Sequence, residues 1–114
     1  MRSDSGELLQ GTLGILILKA LLSGPTHGYG VARWVEMATD DVLRIEEGSL
    51  YPALRRLEDR RFVSSEWGVS ENNRRARFYT ITAGGRAYLR KEAQVWIRYA
   101  GAVTQVLRTH PSVA

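Results

Sequence analysis

Cysteine, lysine and long apolar segments are all scarce in this sequence. No cysteine occurs among the 114 residues, which excludes disulfides and thiolate metal sites and makes a reducing cytoplasm the expected compartment. The longest apolar run, residues 13–22, contains Lys19 and is too short to cross a bilayer. The acidic residues before it do not suit a signal peptide. We therefore expect a small cytoplasmic protein with no membrane segment.

The charged residues are unusual in kind rather than in number. Sixteen basic and 12 acidic side chains give a net charge of +4, and only Lys19 and Lys91 among the basic ones are not arginine. The planar guanidinium fork suits phosphate groups and guanine edges, so this composition permits nucleic-acid binding without establishing it. Neither His27 nor His110 has a nucleophile, a paired carboxylate or a second metal ligand at recognisable spacing. The sequence therefore predicts no enzyme activity, cofactor or metal.

Residues 49–61 have the composition of a DNA-reading helix. Ser49 is the predicted N-cap, Pro52 follows in the first turn, and Leu50, Leu54 and Leu57 share one apolar face. The polar and aromatic side chains on the other faces are Ser49, Tyr51, Arg55, Arg56, Arg60 and Arg61. An ordinary surface helix has the same pattern, so the neighbouring elements must decide between the two interpretations.

Two helices are predicted before this segment. Helix one covers residues 7–23, and its apolar residues, Leu9, Leu13 and Leu16 among them, occupy more than half of its circumference. Such a helix needs two partners, which we expect to be its own core and a second subunit. Helix two covers residues 28–38, and His27 at its start is most simply a capping or packing residue.

A β-hairpin is predicted after the DNA-reading helix. Residues 62–68 and 77–82 alternate or are rich in β-branched and aromatic side chains, and residues 69–75 form a polar turn. The turn and its flank carry Asn72, Asn73, Arg74, Arg75 and Arg77, which form either a solvated loop or a finger that meets DNA backbone or a minor groove. Three helices followed by a hairpin is the winged helix-turn-helix order, with the hairpin as the wing.

One long helix ends the chain. It is predicted over residues 83–109, is capped by Thr82 and is about 40 Å long. A heptad seam runs along it through Leu89, Ala93, Trp96, Ala100, Val103 and Leu107, with Tyr99 in a neighbouring stripe. The expected fold is therefore mainly α with a small β-hairpin (α+β): a winged helix-turn-helix domain at residues 1–82 and a dimerisation helix at residues 83–114.

Several motifs resemble the PadR family of bacterial transcriptional regulators. They are Gly11-Thr12-Leu13, LLSGPTHGYGV at 21–31, GSLYPALRRLE at 48–58, RRARFY at 74–79 and ITAGGR at 81–86. The single helix after the hairpin is similar to the smaller subfamily. Gly30 and Gly85 depart from the family pattern, and we expect neither departure to affect the fold.

The resemblance implies a dimeric repressor, and it associates Tyr29, Tyr51 and the wing arginines with DNA. The complete set of expected DNA-binding residues is Tyr29, Ser49, Tyr51, Arg55, Arg56, Arg60, Asn73, Arg74, Arg75 and Arg77. The expected dimer or ligand interface comprises Leu9, Leu13, Leu16, Leu89, Ala93, Trp96, Tyr99, Ala100, Val103 and Leu107. Some members of the small subfamily bind a planar aromatic molecule between subunits, which makes Trp96 a candidate; otherwise Trp96 fills the coiled-coil core.

The sequence thus predicts a homodimeric repressor that binds a pseudo-palindromic operator at the bacterial nucleoid. Tyr51 and Arg55 are expected near base edges, and the remaining arginines near phosphates. The alternative is a winged-helix protein-interaction module that does not bind DNA.

Overall fold

The computed structural model describes residues 12–113, which form four α-helices and a three-stranded antiparallel sheet. In chain order the elements are α1 (Leu13–Ala20), β1 (Thr26–His27), α2 (Gly28–Ala38), α3 (Glu47–Asp59), β2 (Val63–Val69), β3 (Arg75–Ile81) and α4 (Ala83–Arg108). Short 3₁₀ turns cover Leu21–Ser23 and Pro111–Val113. The predicted fold class, mainly helical with a hairpin, is confirmed. No helix in the described part of the chain is both long and apolar enough to cross a membrane.

The core lies between the first three helices and the base of the hairpin. The predicted leucine face of α3 is confirmed, since Leu50, Leu54 and Leu57 are all buried. They meet α1, from which Ile17 and Leu18 are completely buried. Burying an aliphatic side chain of this size contributes about 1.5–3 kcal/mol, so this apolar face holds α3 in place and leaves its other side free.

The start of α2 is built around His27. Its Nδ1 accepts a hydrogen bond of 3.0 Å from the backbone N–H of Gly30, which confirms the capping role expected for it. Thr26 and His27 also pair with Tyr79 and Phe78 of β3, so the sheet has a third strand, in the order β1-β3-β2. The sequence indicated only two strands, because a strand of two residues has no periodicity to detect.

The start of α3 lies earlier than predicted. Glu46 occupies the N-cap position in extended backbone, and its carbonyl accepts from the N–H of Ser49 at 2.9 Å. Ser49 is therefore inside the first turn, and its predicted role as N-cap is wrong. Pro52 consequently lies in the second turn, where it removes the hydrogen bond to the Gly48 carbonyl.

The hairpin pairs Val63 with Ile81 at its base and Val69 with Arg75 beside its turn. Alternation along both strands puts one set of side chains on the same face: Val63, Ser65, Trp67, Val69, Arg75, Arg77, Tyr79 and Ile81. The base of this face is buried in the core, whereas its outer part is exposed. The hairpin therefore carries a continuous surface from the core out to the groove described below.

The long helix α4 begins as predicted. Thr82 Oγ1 accepts from the Gly85 N–H at 3.0 Å, which confirms the cap. Beyond its first turns the helix projects from the core, and its exposed apolar side chains are Val95, Trp96, Ile97, Tyr99, Val103, Val106 and Leu107. With 26 residues it is about 39 Å long, against a longest molecular dimension of 59 Å.

The predicted interface residues divide into two groups. Leu13 and Leu89 are buried in the chain's own core, because α1 packs against the first turns of α4; placing them at an intermolecular interface was wrong. Leu16 and Ala93 are half-buried against the same core. The seam that is open to a partner therefore begins near Trp96 and continues through Ala100 to Leu107, and Leu9 lies outside the described residues.

Candidate nucleic-acid interface

A groove of about 650 Å³ lies between the N-terminal end of α2, the outer face of α3 and the hairpin. Half of the predicted DNA-binding residues line it: Tyr29, Tyr51, Arg74, Arg75 and Arg77. These residues come from three elements that are well separated in sequence, and the fold brings them together on one concave surface. Aromatic rings and guanidinium groups side by side suit a ligand with flat faces and negative charge.

Two tyrosines form one wall of the groove. Tyr29 is 68% exposed and Tyr51 is 45% exposed. The ring of Tyr51 lies against the backbone of Gly28, where a methyl group would come within 2.8 Å of the Tyr51 hydroxyl oxygen. The absence of a side chain at Gly28 therefore allows Tyr51 to rest against α2 with its hydroxyl at the groove.

His27 connects this wall to the turn of the hairpin. Because its Nδ1 accepts from Gly30, the neutral ring carries its proton on Nε2, which lies 4.0 Å from a carboxylate oxygen of Glu71. The ring also meets Phe78 edge-on, with centroids 5.4 Å apart. One side chain thus caps α2 and contacts the sheet beneath the groove.

Trp67 is a groove residue that the sequence did not single out. It is 56% exposed on β2, and the guanidinium carbons of Arg75 and Arg77 lie 4.8 Å and 5.4 Å from its ring centre. Exposed cation–π contacts of this kind contribute about 0.5–1 kcal/mol each. The predicted alternation placed Trp67 on the same side as Val63. Only the strand register, which pairs Trp67 with Arg77, shows that Trp67 belongs to the groove, and the sequence does not give that register.

Arg77 is held by groups within the chain. Its Nε donates to Ser65 Oγ at 2.8 Å, and its Nη2 lies 3.7 Å from Glu58 Oε2. The Ser65 hydroxyl in turn donates to the same Glu58 oxygen at 2.6 Å. Glu58 is in the last turn of α3, so these three side chains join α3 to both strands of the hairpin.

Tyr79 forms the floor of the groove. Burial raises the pKa of its phenol, and the neighbouring Arg77 guanidinium acts in the opposite direction. Glu58, Tyr51 and Arg55 also act on this pKa through their charges, so all of them lie near the phenol. At neutral pH Tyr79 therefore remains an uncharged hydrogen-bonding group at the floor of a cationic groove.

The other predicted DNA-binding residues lie outside the groove lining. Arg55 and Arg56 are exposed on α3, and Asn73 is at the hairpin turn with a φ of +58°. Ser49 is half-buried in the first turn of α3. Arg60 stacks on the rings of Phe62 and Tyr88, at 4.7 Å and 5.0 Å, which places it at the junction of α3 and α4.

The described residues contain no group of three or more His, Asp or Glu side chains that could hold a metal ion. What they contain is a helix with a buried leucine face and an exposed Tyr/Arg face, flanked by an arginine-rich hairpin. These features define a winged helix-turn-helix protein. A model of the PadR-like family of transcriptional regulators matches residues 17–91, and the chain belongs to that family.

Solved structures agree with this assignment, and a curated relative is similar in sequence over most of its length. A transcriptional regulator from Clostridium thermocellum has a TM-score of 0.77 and 27% identity, with 87% of this chain and 96% of that chain covered. A PadR family transcriptional regulator from Eggerthella lenta has a TM-score of 0.73 and 32% identity, with 91% and 88% covered. Protein X of Lysinibacillus sphaericus is 28% identical over 96 residues, which are 84% of this chain and 85% of that protein.

Proposed function

We propose that this transcriptional regulator is a homodimeric repressor that binds a pseudo-palindromic DNA operator at the bacterial nucleoid. The observation that carries the proposal is the groove in which Tyr29, Tyr51 and three wing arginines converge. A duplex presents a convex surface of phosphates and base edges, and α3 has the exposed Tyr/Arg face that a major groove can admit.

In this proposal each element has its own role. Tyr51 and Arg55 approach base edges, whereas Arg56, Ser49 and the wing residue Arg74 contact phosphates. The hairpin turn, with Asn73 at its tip, lies over the neighbouring backbone or minor groove. Arg60 and Arg77, which were expected at phosphates, already stack on or bond to groups of the chain, so we assign them a supporting role.

The dimer in this proposal forms through α4, in the dimerisation segment expected at residues 83–114. Exposed Tyr99, Val103 and Leu107 continue an apolar surface that no element of the described chain covers. A second copy covers it most simply, with a twofold axis relating the two recognition helices. Such an arrangement presents both helices to major grooves about 34 Å apart.

A planar aromatic effector is a further part of the proposal. Trp96, 43% exposed, and Tyr99 line a hollow of about 160 Å³ between α4 and α1. This volume is smaller than the ~300–1,000 Å³ of typical ligand sites, so a flat ligand needs the partner's surface to complete the site. The ligand regulates only if it prefers the DNA-free arrangement of the two subunits.

The effector is tested by tryptophan fluorescence. In a background with Trp34→Phe and Trp67→Phe, quenching by flat aromatic dyes reports on Trp96 alone. We expect saturable quenching in that background, and loss of dye binding, followed by the fluorescence of the dye itself, after Trp96→Ala. Equal dye binding, measured by dye fluorescence, with and without Trp96 would show that this residue only fills the helix interface.

DNA binding is tested by selecting bound sequences from random duplexes at low salt. We expect two enriched half-sites about 10 base pairs apart, centre to centre. The double variant Tyr51→Ala/Arg55→Ala should lose the enrichment while retaining its helical circular dichroism. Failure of the wild type to retain any duplex, together with salt-insensitive capture of a protein partner, would favour the protein-interaction module instead.

A further inference from the structure

Three side chains, Glu58, Ser65 and Arg77, connect α3 directly to both strands of the wing. Arg77 donates to the Ser65 hydroxyl at 2.8 Å, and that hydroxyl donates to the Glu58 carboxylate at 2.6 Å. The guanidinium and the carboxylate approach to 3.7 Å. We call these three residues the wing clamp, because each comes from a different element and together they connect helix, strand and strand.

The negative charge of Glu58 is unexpected next to a surface proposed to bind DNA. A carboxylate near a surface that binds a polyanion weakens the binding, since it repels phosphate. Glu58 nevertheless lies at the end of the recognition helix, with about a third of its side chain exposed. Its oxygen is shared between a hydroxyl and a guanidinium, which offsets its charge and fixes its direction.

The clamp is in contact with another groove side chain, Trp67. Glu58 and Ser65 hold the Arg77 guanidinium, and this guanidinium stacks on the Trp67 ring. Beyond the clamp the hairpin extends to the exposed Arg74 and to Asn73 at the turn. Strands rise about 3.3 Å per residue, so a small tilt at the clamp produces a larger displacement at the turn.

We propose that Glu58 and Ser65 are positioning residues for DNA recognition: they contact no DNA, and they hold Arg77, and through it Trp67 and the wing, at the angle to α3 that the operator requires. This proposal rests on the proposed function and adds to it two residues that sequence reasoning did not select. It reverses the electrostatic expectation, because removal of an acid should weaken operator recognition.

The test compares variants of the clamp with a matched acid outside it. Glu58→Ala, Glu58→Gln and Ser65→Ala alter the clamp, whereas Asp59→Ala removes the next carboxylate along α3, which is exposed. Dissociation constants for the selected operator and for a scrambled duplex are measured by fluorescence anisotropy at several salt concentrations. Thermal melting followed by circular dichroism reports folding separately.

We expect Glu58→Ala and Ser65→Ala to lower the ratio of operator affinity to scrambled-duplex affinity by roughly three- to tenfold. The scrambled duplex should bind each variant as tightly as it binds the wild type, or more tightly. Glu58→Gln should keep the ratio within about twofold, because its amide oxygen still accepts from the Ser65 hydroxyl and presents a negative dipole to the Arg77 guanidinium. In the Arg77→Ala background, Glu58→Ala should have no additional effect on the ratio. Asp59→Ala should tighten both duplexes equally.

Identical behaviour of Glu58→Ala and Asp59→Ala would overturn the inference, as would a Gln variant that loses as much selectivity as the Ala variant. If Glu58→Ala melts below the assay temperature, Ser65→Ala decides the matter, because it removes one hydroxyl only. A wild type that binds the operator while every clamp variant keeps its selectivity overturns this inference alone. A wild type that binds no duplex overturns the proposed function with it.

Discussion

Two adjacent glycines at the start of α4 show how differently neighbouring residues can be constrained. A methyl group at Gly85 would overlap the backbone carbonyl of Phe62 and lie 2.9 Å from a side-chain carbon of Ile81. At Gly84 the nearest atom to such a methyl is 3.7 Å away, an ordinary contact. From the sequence we expected that Gly85 would not affect the fold, whereas the structure leaves no room for a side chain there.

Gly85→Ala should therefore lower the free energy of unfolding by about 2–4 kcal/mol, because a backbone carbonyl must move to admit the methyl. Gly84→Ala should raise it by about 0.5 kcal/mol, since alanine favours the helix. Urea unfolding followed by circular dichroism, with both variants at the same protein concentration, measures the difference. Equal stability of the two variants would contradict the close packing of α4 on the hairpin base.

A side chain at Gly28 should weaken DNA binding rather than stability. Its close approach to the Tyr51 ring means that Gly28→Ala must displace a flexible side chain rather than backbone. We expect little change in melting temperature and roughly a three- to tenfold weaker operator affinity, because Tyr51 moves away from the position in which we propose that it faces the bases. The double variant Gly28→Ala/Tyr51→Ala should bind no more weakly than Tyr51→Ala alone. Additive losses would mean that Gly28 acts independently of Tyr51.

At the scale of elements, the sequence predicted most features whose signal lay within one segment. The leucine spacing of α3 predicted its buried face, and Thr82 followed by a long periodic run predicted the start of α4. The beginning of α3 was misplaced because Ser49, a residue type common at N-caps, was assigned the capping position. In the structure the chain enters the helix before that residue, with Glu46 at the N-cap position.

Features that depend on two distant segments could not be predicted. β1 forms because Thr26 and His27 pair with β3, and no sequence pattern in either segment predicts that pairing. The same holds for the wing clamp, in which Glu58 meets Arg77 across the fold. Arg74 and Arg77 look alike in the sequence, yet the first is exposed and the second is engaged.

The helix and the wing should therefore respond differently to loss of an arginine. If Arg55 reads a guanine in bidentate fashion, Arg55→Ala should cost about 1–3 kcal/mol of operator affinity and relax the preference at one position. Arg74→Ala should instead weaken all duplexes similarly and reduce the slope of log affinity against log salt by about 1. Anisotropy titrations on operator variants at several salt concentrations separate the two. A change in base preference on loss of Arg74 would assign base reading to the wing.

At the scale of the whole molecule, α4 carries the surface through which we propose that two copies associate. Its inner end is packed on α1, whereas its outer half presents Tyr99, Val103 and Leu107 to solvent. A single copy leaves this apolar surface unused, which is unusual for a helix about 39 Å long. The proposed pair of copies would bury it and would link two grooves that otherwise bind DNA independently.

Val103→Glu tests this arrangement, because it places an unpaired carboxylate in the proposed interface. We expect a monomer by sedimentation at concentrations where the wild type is a dimer. Operator affinity should then fall by roughly 10²-fold or more, because the second half-site no longer benefits from linkage to the first. Gln105→Glu is the control, since it adds the same charge on the opposite side of α4. Binding to an isolated half-site should be equal in both variants, because neither touches the groove. A dimer that survives Val103→Glu with its operator affinity intact would place the twofold interface elsewhere on the molecule.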